Sequence, residues 1–253
     1  MVAGTVALIA ISLLPAQADP KTATELSIPI FGSHGDETKQ LQVTSTDSVR
    51  FAPGGLIRIT GSYGDLAVEG WDQPEVQVEV KKSLSYGFKK EDPQRFERVK
   101  VSIERHSDSE LSIVTNAPSP NRLVHPFGGK GGGVAVEYRI RVPRNSRLMI
   151  QHGVGMISMS DVIGDVDASA SRGDILMWLP GAGSYDIDAK SKFGLVASDF
   201  AGSPRLVFYR LGERFASEQA PASPHIHLRM GFGGITIKRL PPESEPGSPA
   251  PAK

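Results

Sequence analysis

The stretch GMISMSDVIGDVDASASRGDILM, Gly155 to Met177, holds three units that each open on a glycine and start nine residues apart. In each unit the second and fourth residues after the glycine are apolar: Ile157 and Met159, Val166 and Ala168, Ile175 and Met177. Alternation with a period of two marks a strand with one buried face. Units this short cannot bury that face alone, so the pattern requires that they stack.

The same rule extends outward in both directions. Gly55 is followed by Ile57 and Ile59, Gly64 by Leu66 and Val68, and Gly233 by Ile235 and Ile237. Gly183 shifts it, with Tyr185 and Ile187 in the two slots, and Gly194 weakens it, with Val196 followed by Ser198. Aligned on their glycines, Ile157, Val166, Ile175 and Val196 are expected to share one stacking column. Two such strands with their turns make a coil of about eighteen to twenty-one residues, the scale of a flattened β-solenoid. An up-and-down antiparallel meander uses the same spacing, and the pattern leaves both open. The fold class is all-β, a repetitive β-solenoid-like or stacked-sheet architecture of glycine-paced short strands.

The flanking segments agree. EVQVEVKK (Glu75 to Lys82) sets Val76, Val78 and Val80 against Glu75, Gln77, Glu79 and Lys81; VAVEYRIRV (Val134 to Val142) sets Val136, Tyr138, Ile140 and Val142 against Glu137, Arg139 and Arg141. Val99 to Glu104 and Glu110 to Thr115, joined by His106-Ser-Asp-Ser109, predict a hairpin. Glu91 to Arg98 predicts one helical turn with Asp92 as N-cap and Pro93 at the first helical position. Asn116 to Gly133, with three prolines and five glycines, is a long connection, and Ser203 to Ser223 an irregular insertion before His225-Ile-His-Leu-Arg-Met230. Residues 41–240 form the repeat domain, with possible subregions 41–116 and 134–240, preceded by a linker at 19–40. The tail 241–253, rich in proline, serine and alanine, is expected to be disordered.

Composition narrows the function. Glycine (27) and proline (19) are abundant, as a strand-and-turn protein requires, and 28 basic side chains balance 28 acidic ones, which offers no footprint for nucleic acid. No cysteine is present, which excludes disulfides, thiolate metal sites and a cysteine nucleophile. The apolar run from Val6 to Leu14, followed by Ala16-Gln17-Ala18, matches an export signal over residues 1–18. Such signals carry a basic start, and none precedes Lys21, which points to an initiation site upstream of Met1. The run is short for a bilayer span, and no later apolar run is long enough, so no stable membrane span is expected after cleavage.

With VEGWD (Val68 to Asp72) after an early strand, a strand ending in RVP (Arg141 to Pro143) and serial G-D-apolar units closing on GGITI (Gly233 to Ile237), the chain resembles the bacterial putative-adhesin family of β-strand-repeat proteins of unknown function. The resemblance covers about Gly55 to Leu240. It implies an exported or membrane-associated envelope protein, in the periplasm or at the cell surface, with a repetitive β fold and no established catalytic residues.

Few residues suggest chemistry. Asp161, Asp165, Asp167, Asp174, Asp186, Asp188 and Asp199 cluster in the repeats, and such clusters on β-helices bind calcium or act on polysaccharides. The tandem GGxGxD of calcium-loading repeats is missing, and aspartate after glycine is an ordinary turn residue. Phe127 to Gly133 (FGGKGGG) lacks the Ser/Thr and following helix of a phosphate loop. His225 and His227 share a strand face, but no further ligands for a metal can be named. No GxSxG or HExxH occurs. Trp71, Trp178, Tyr185, Phe193, Phe200, Phe208 and Tyr209 are either core and column caps or a binding platform for carbohydrate or a partner. The reading is therefore a non-catalytic exported envelope protein, an adhesin or interaction module, with no catalytic residue, metal or cofactor. Its expected partner is an envelope protein or glycan. A polysaccharide-active β-helix enzyme and a scaffold or sensor domain are the alternatives.

Overall fold

In the computed structural model, residues 23–25, 41–84, 94–117, 134–181, 183–207, 209–217 and 223–240 are described. The export signal, Asp92 and Pro93, most of the long connection including FGGKGGG, Phe208 and the tail lie outside the described residues.

In chain order the strands are β1 (Ala23–Glu25), β2 (Leu41–Arg50), β3 (Leu56–Tyr63), β4 (Asp65–Trp71) and β5 (Glu75–Leu84), then the helical turn α1 (Gln94–Glu97). There follow β6 (Lys100–Ser107), β7 (Glu110–Asn116), β8 (Val134–Pro143), β9 (Arg147–Val154), β10 (Ile157–Ser160), β11 (Val166–Arg172) and β12 (Ile175–Pro180). The last are β13 (Asp186–Phe193), β14 (Val196–Ser198), β15 (Gly202–Val207), β16 (Gly212–Ser217), β17 (His225–Phe232) and β18 (Ile235–Leu240). They form two mixed sheets, β1-β2-β5-β8-β4-β10-β12-β18-β14 and β15-β16-β13-β17-β11-β9-β3-β7-β6.

The centre of each sheet is parallel. The strand pairs β7/β8, β3/β4, β9/β10, β11/β12, β17/β18 and β13/β14 follow one another in the same order in both sheets, so each pair is a layer with one strand per sheet. All neighbouring layers pair in parallel register. Antiparallel pairing is confined to the ends, at β1-β2-β5-β8, β6-β7 and β13-β16-β15. A central antiparallel meander is thereby ruled out.

Inward side chains make continuous columns. Leu111, Ile57, Leu148, Val166, Ile226 and Ile187 align across the second sheet; Tyr138, Leu66, Ile157, Ile175, Ile235 and Val196 align across the first. All belong to one buried core. The single column expected for Ile157, Val166, Ile175 and Val196 is thus split, because Val166 lies in the other sheet. Leu148 and its stacking partner Val166 are eighteen residues apart, a full circuit of the stack.

Layer order also departs from chain order. The layer β7/β8 lies outside β3/β4, and the late layer β17/β18 sits between β11/β12 and β13/β14. Ser203 to Ser223 includes a regular hairpin, β15–β16, rather than an irregular insertion.

The corner from the second sheet to the first explains the glycine pacing. Gly64, Gly155, Gly173, Gly233 and Gly194 occupy it with φ between +116° and +147°. A β-carbon on Gly155 would overlap the carbonyl oxygen of Gly64, and one on Gly173 that of Gly155. Only a residue without a side chain lets the layers approach this closely. The ladder continues through the corner, with the Gly155 amide donating to the Arg172 carbonyl and the Gly173 amide to the Phe232 carbonyl, both at 3.0 Å.

Both ends of the stacked strand pairs are covered. At one, Phe51, Phe96 and Val99 are buried and the Lys82 ammonium donates to the Phe96 and Val99 carbonyls; burial lowers the Lys82 pKa. At the other, Phe215 of the β15–β16 hairpin is buried and Glu213 accepts the Val196 amide at 2.9 Å, blunting the short edge strand β14.

Candidate functional site

The outer face of the second sheet gathers the residues that looked chemical. Parallel register places β17 between β11 and β13, so His227 lies between Asp167 and Asp188, and His225 pairs with Asp186. His225 Nδ1 is 2.9 Å from Asp186 Oδ2, and its amide donates to Asp165 Oδ1 at 2.9 Å. His227 Nδ1 is 3.1 Å from Asp167 Oδ1. The two imidazoles therefore engage carboxylates on opposite neighbouring strands. They do not converge on a common point, and among the described residues no group of three or more His, Asp or Glu side chains is arranged to hold a metal.

Asp188 continues this face as the centre of an ion cluster. Arg214 donates to it through Nε (2.8 Å) and Nη2 (3.1 Å), and Arg229 through Nη2. Burial works to raise its carboxyl pKa, but the hydrogen bonds and charge of the two guanidiniums outweigh that and hold it below the usual value.

The remaining aspartates are structural in their contacts. Asp174 Oδ1 accepts the Gly234 amide at 2.7 Å, Asp199 Oδ2 accepts the Arg239 amide at 3.2 Å, and Asp161 faces Arg144 at 3.5 Å. Asp65, which the sequence pattern did not single out, accepts the Met156 amide at 2.9 Å. Each of these contacts ties one layer to its neighbour or to a corner. An Asp–His pair such as Asp167–His227 resembles part of a nucleophile-activating relay, but the register positions beside it are Met149 and Asp188, and no hydroxyl or thiol completes it there.

The aromatic candidates divide. Tyr185 is buried and meets Phe200 edge to face at 5.6 Å, with the Arg239 guanidinium 4.8 Å from the Phe200 ring. Trp71 donates its indole N–H to the Glu75 carbonyl at 2.9 Å under the Arg141 guanidinium. Trp178 is half-buried on the outer face of the first sheet, between Ser160 and Lys238. Phe193 stacks on Phe232 at 4.5 Å and 8°, and Tyr209 is 92% exposed at the β15–β16 tip. The structure thus brings Phe193 and Tyr209 to one end of the glycine corner, and adds residues the sequence pattern did not mark: Leu195, Leu211 and Phe232, all exposed.

Inside the core, His152 is buried and donates from Nε2 to the Gly64 carbonyl at 2.7 Å; burial pushes its pKa down. Burial pushes the Tyr138 hydroxyl up to about 12.

No family model and no curated protein matches the chain. Among solved structures, it is similar to a putative cell adhesion protein from Clostridium sporogenes, at 12% identity and a TM-score of 0.48, over 78% of this chain and all of the other. It is also similar to a putative adhesin from Parabacteroides distasonis, at 11% identity and a TM-score of 0.22, over 77% of this chain and 65% of the other. A putative lipid binding protein from Parabacteroides distasonis is similar at 11% identity and a TM-score of 0.21, over 78% and 97%. At these identities and TM-scores neither a family nor a residue role is transferred to the chain. Among the described residues, no helix is long and apolar enough to cross a membrane.

Proposed function

We propose that the chain is a non-catalytic, exported binding module of the cell envelope, an adhesin or interaction module that works through the outer surfaces of its stacked layers. The architecture we infer is a flattened β-solenoid with a permuted layer order, spanning residues 41–240, behind an export signal (1–18) and linker (19–40) and ahead of a tail (241–253).

One observation carries the non-catalytic reading. Six of the aspartates that suggested a polysaccharide-active enzyme are engaged by backbone amides, histidines or arginines: Asp165, Asp174 and Asp199 by amides, Asp167 and Asp186 by His227 and His225, and Asp188 by Arg214 and Arg229. A general acid needs a carboxyl pKa raised toward neutrality, and Asp188 is shifted the other way.

The test is to incubate the purified protein with a glycan panel and, separately, with envelope fractions and whole cells. Retention on the fractions or cells without glycan turnover is the expected result. The double variant Asp165→Ala/Asp167→Ala is expected to melt lower. Turnover that this variant abolishes while still folded would replace the binding reading with the enzymatic one.

A further inference from the structure

The corner ridge carries a row of side chains outside the inward columns. The position before the corner glycines holds, in register, Tyr63, Val154, Arg172, Phe232 and Phe193. Toward the β13/β14 end this ridge turns apolar and exposed, with Leu195 at 73% and Phe232 at 51%. The β15–β16 hairpin is fastened there by the Gly194 amide, which donates to the Leu211 carbonyl at 3.1 Å, so its tip adds Leu211 and Tyr209 to the same end. Scattered exposed apolar residues are ordinary; a contiguous group at a protruding tip marks an interaction surface.

Backbone conformation adds a second, independent observation. Tyr209 and Arg210 have φ of +53° and +70°, two successive left-handed residues at the tip. Asn-Gly meets that turn without strain, whereas a bulky ring there is a genuine outlier. A ring and a guanidinium held at the tip against backbone preference point to a role for both side chains.

Charge selects the occupant. Lys190, Lys192 and Arg229 line a cleft of about 250 Å³ beside the ridge, and Arg172 and Arg210 are exposed around it. Of the carboxylates nearby, Asp188 pairs with Arg229, and Asp174 and Glu213 each accept a backbone amide. Asp165, Asp167 and Asp186 lie toward the opposite ends of β11 and β13. A chain of zero net charge thus has one end that is apolar at the front and cationic just behind. That depth order matches an anionic bilayer surface, hydrocarbon beneath charged headgroups. We propose that this end of the ridge docks on an anionic lipid surface, with Tyr209, Leu211, Leu195 and Phe232 entering the interface and Lys190, Lys192 and Arg210 meeting headgroup phosphates. The proposal rests on the envelope-module reading and gives it a partner.

The chain has no cysteine, so Leu211→Cys and Asp108→Cys each give a single site for an environment-sensitive fluorophore, at the tip and at the distant β6–β7 turn. The full chain should float with vesicles containing phosphatidylglycerol and not with pure phosphatidylcholine. The tip label should blue-shift and the Asp108→Cys label should not. Raising salt from 0.1 to 1 M, which shortens the screening length from about 10 to about 3 Å, should release most of the protein. Leu195→Ser, Tyr209→Ser and Leu211→Ser should each lower partitioning about tenfold or more, from the apolar area withheld from the interface. Lys190→Gln/Arg210→Gln, both at exposed positions, gives an independent loss without touching the core. No flotation with anionic vesicles, equal shifts of both labels, or undiminished binding by the serine variants would overturn the proposal. So would a tip shift accompanied by doubled mass in the absence of vesicles, which makes a second copy the occupant, or binding that a soluble sulfated glycan abolishes while the serine variants bind normally. If vesicles fail while envelope fractions still retain the protein, the lipid partner falls and the binding module stands; loss of both removes both.

Discussion

Substituting two adjacent glycines separates corner geometry from composition. Gly233 lies on the corner ladder at φ +133°, and a β-carbon there would overlap the Gly173 carbonyl oxygen. Gly233→Ala must adopt a backbone region that costs about 1–3 kcal/mol for a residue with a side chain. It must also separate β17/β18 from β11/β12, which weakens the hydrogen bond from the Gly173 amide to the Phe232 carbonyl, 3.0 Å long and worth about 1 kcal/mol net. The expected loss is about 2–4 kcal/mol, or roughly 4–16 °C in Tm for a domain of this size. Gly234 has no left-handed φ, and the nearest atom to its added β-carbon is the far end of the Asp174 side chain, Oδ1, at 3.3 Å. Gly234→Ala keeps the amide that Asp174 accepts and restricts the unfolded chain, so it should fall within about 1 kcal/mol of the parent. Paired urea and thermal unfolding reads both. If the two variants unfold within 1 kcal/mol of each other, the corner ladder is not what the glycine pacing encodes.

Acid titration should expose Asp188. Its carboxyl is depressed on folding, so its contribution is present above the unfolded value of about 3.9 and disappears as pH falls through the folded one. Asp188→Asn should therefore be less stable at pH 7, by about 1 kcal/mol for partly exposed ion pairs, and the gap should close below about pH 4 in pH-dependent urea melts. His152 acts over a different window. Its pKa is lowered by burial, so the unfolded chain takes up a proton near pH 6.5 that the folded chain refuses; stability is complete above that pH and falls below it, by at most about 1.4 kcal/mol per pH unit. His152→Gln should flatten that slope between about pH 6.5 and 5, whatever it costs in packing. Millimolar calcium or a chelator should leave the Tm unchanged, because Asp165, Asp174 and Asp199 already accept backbone amides.

The two-and-four apolar rule located the inward residues of both sheets, since Ile57, Ile59, Leu66, Val68, Ile157, Met159, Ile175, Met177, Ile235 and Ile237 are all buried. It could not say which sheet a unit belongs to. Val166 and Ile175 look alike in sequence because both sheets share one period, and the difference lies in the corner: Gly155 and Gly173 have left-handed φ, whereas Gly164 at the opposite corner does not. The β15–β16 hairpin escaped notice because β15 is exposed along most of its length and contains Pro204, so it has no buried face to alternate against. At the outer face, the turn role of Asp165 and Asp174 was legible from the preceding glycine. The pairing of Asp167 with His227 was not, because it joins strands sixty residues apart. Leu195 and Tyr-Arg at 209–210 were visible only as exceptions, each standing where a turn favours a polar residue or glycine.

The inserted layer is the feature local pattern could not foresee, because its columns are interchangeable with those beside it. Ile226 stands between Val166 and Ile187, and Leu228 between Ala168 and Ala189, so β11 and β13 could in principle pair directly with their columns intact. The chain instead completes its stack with β17/β18, which contributes Ile226, Leu228, Met230, Ile235 and Ile237 to the core. At about 1.5–3 kcal/mol for each side chain withdrawn from water, those five contribute on the order of a whole domain's net stability. A chain ended at Ser223 should therefore lose its cooperative transition, and a peptide spanning residues 223–240, added in trans, should restore it with a midpoint that depends on peptide concentration. Amide exchange would locate the loss, with β13 and β14 unprotected until the peptide binds. A shortened chain that kept the parent's Tm and protected β13 amides would mean that β11 and β13 close the gap unaided, and that the late layer decorates the stack rather than completing it.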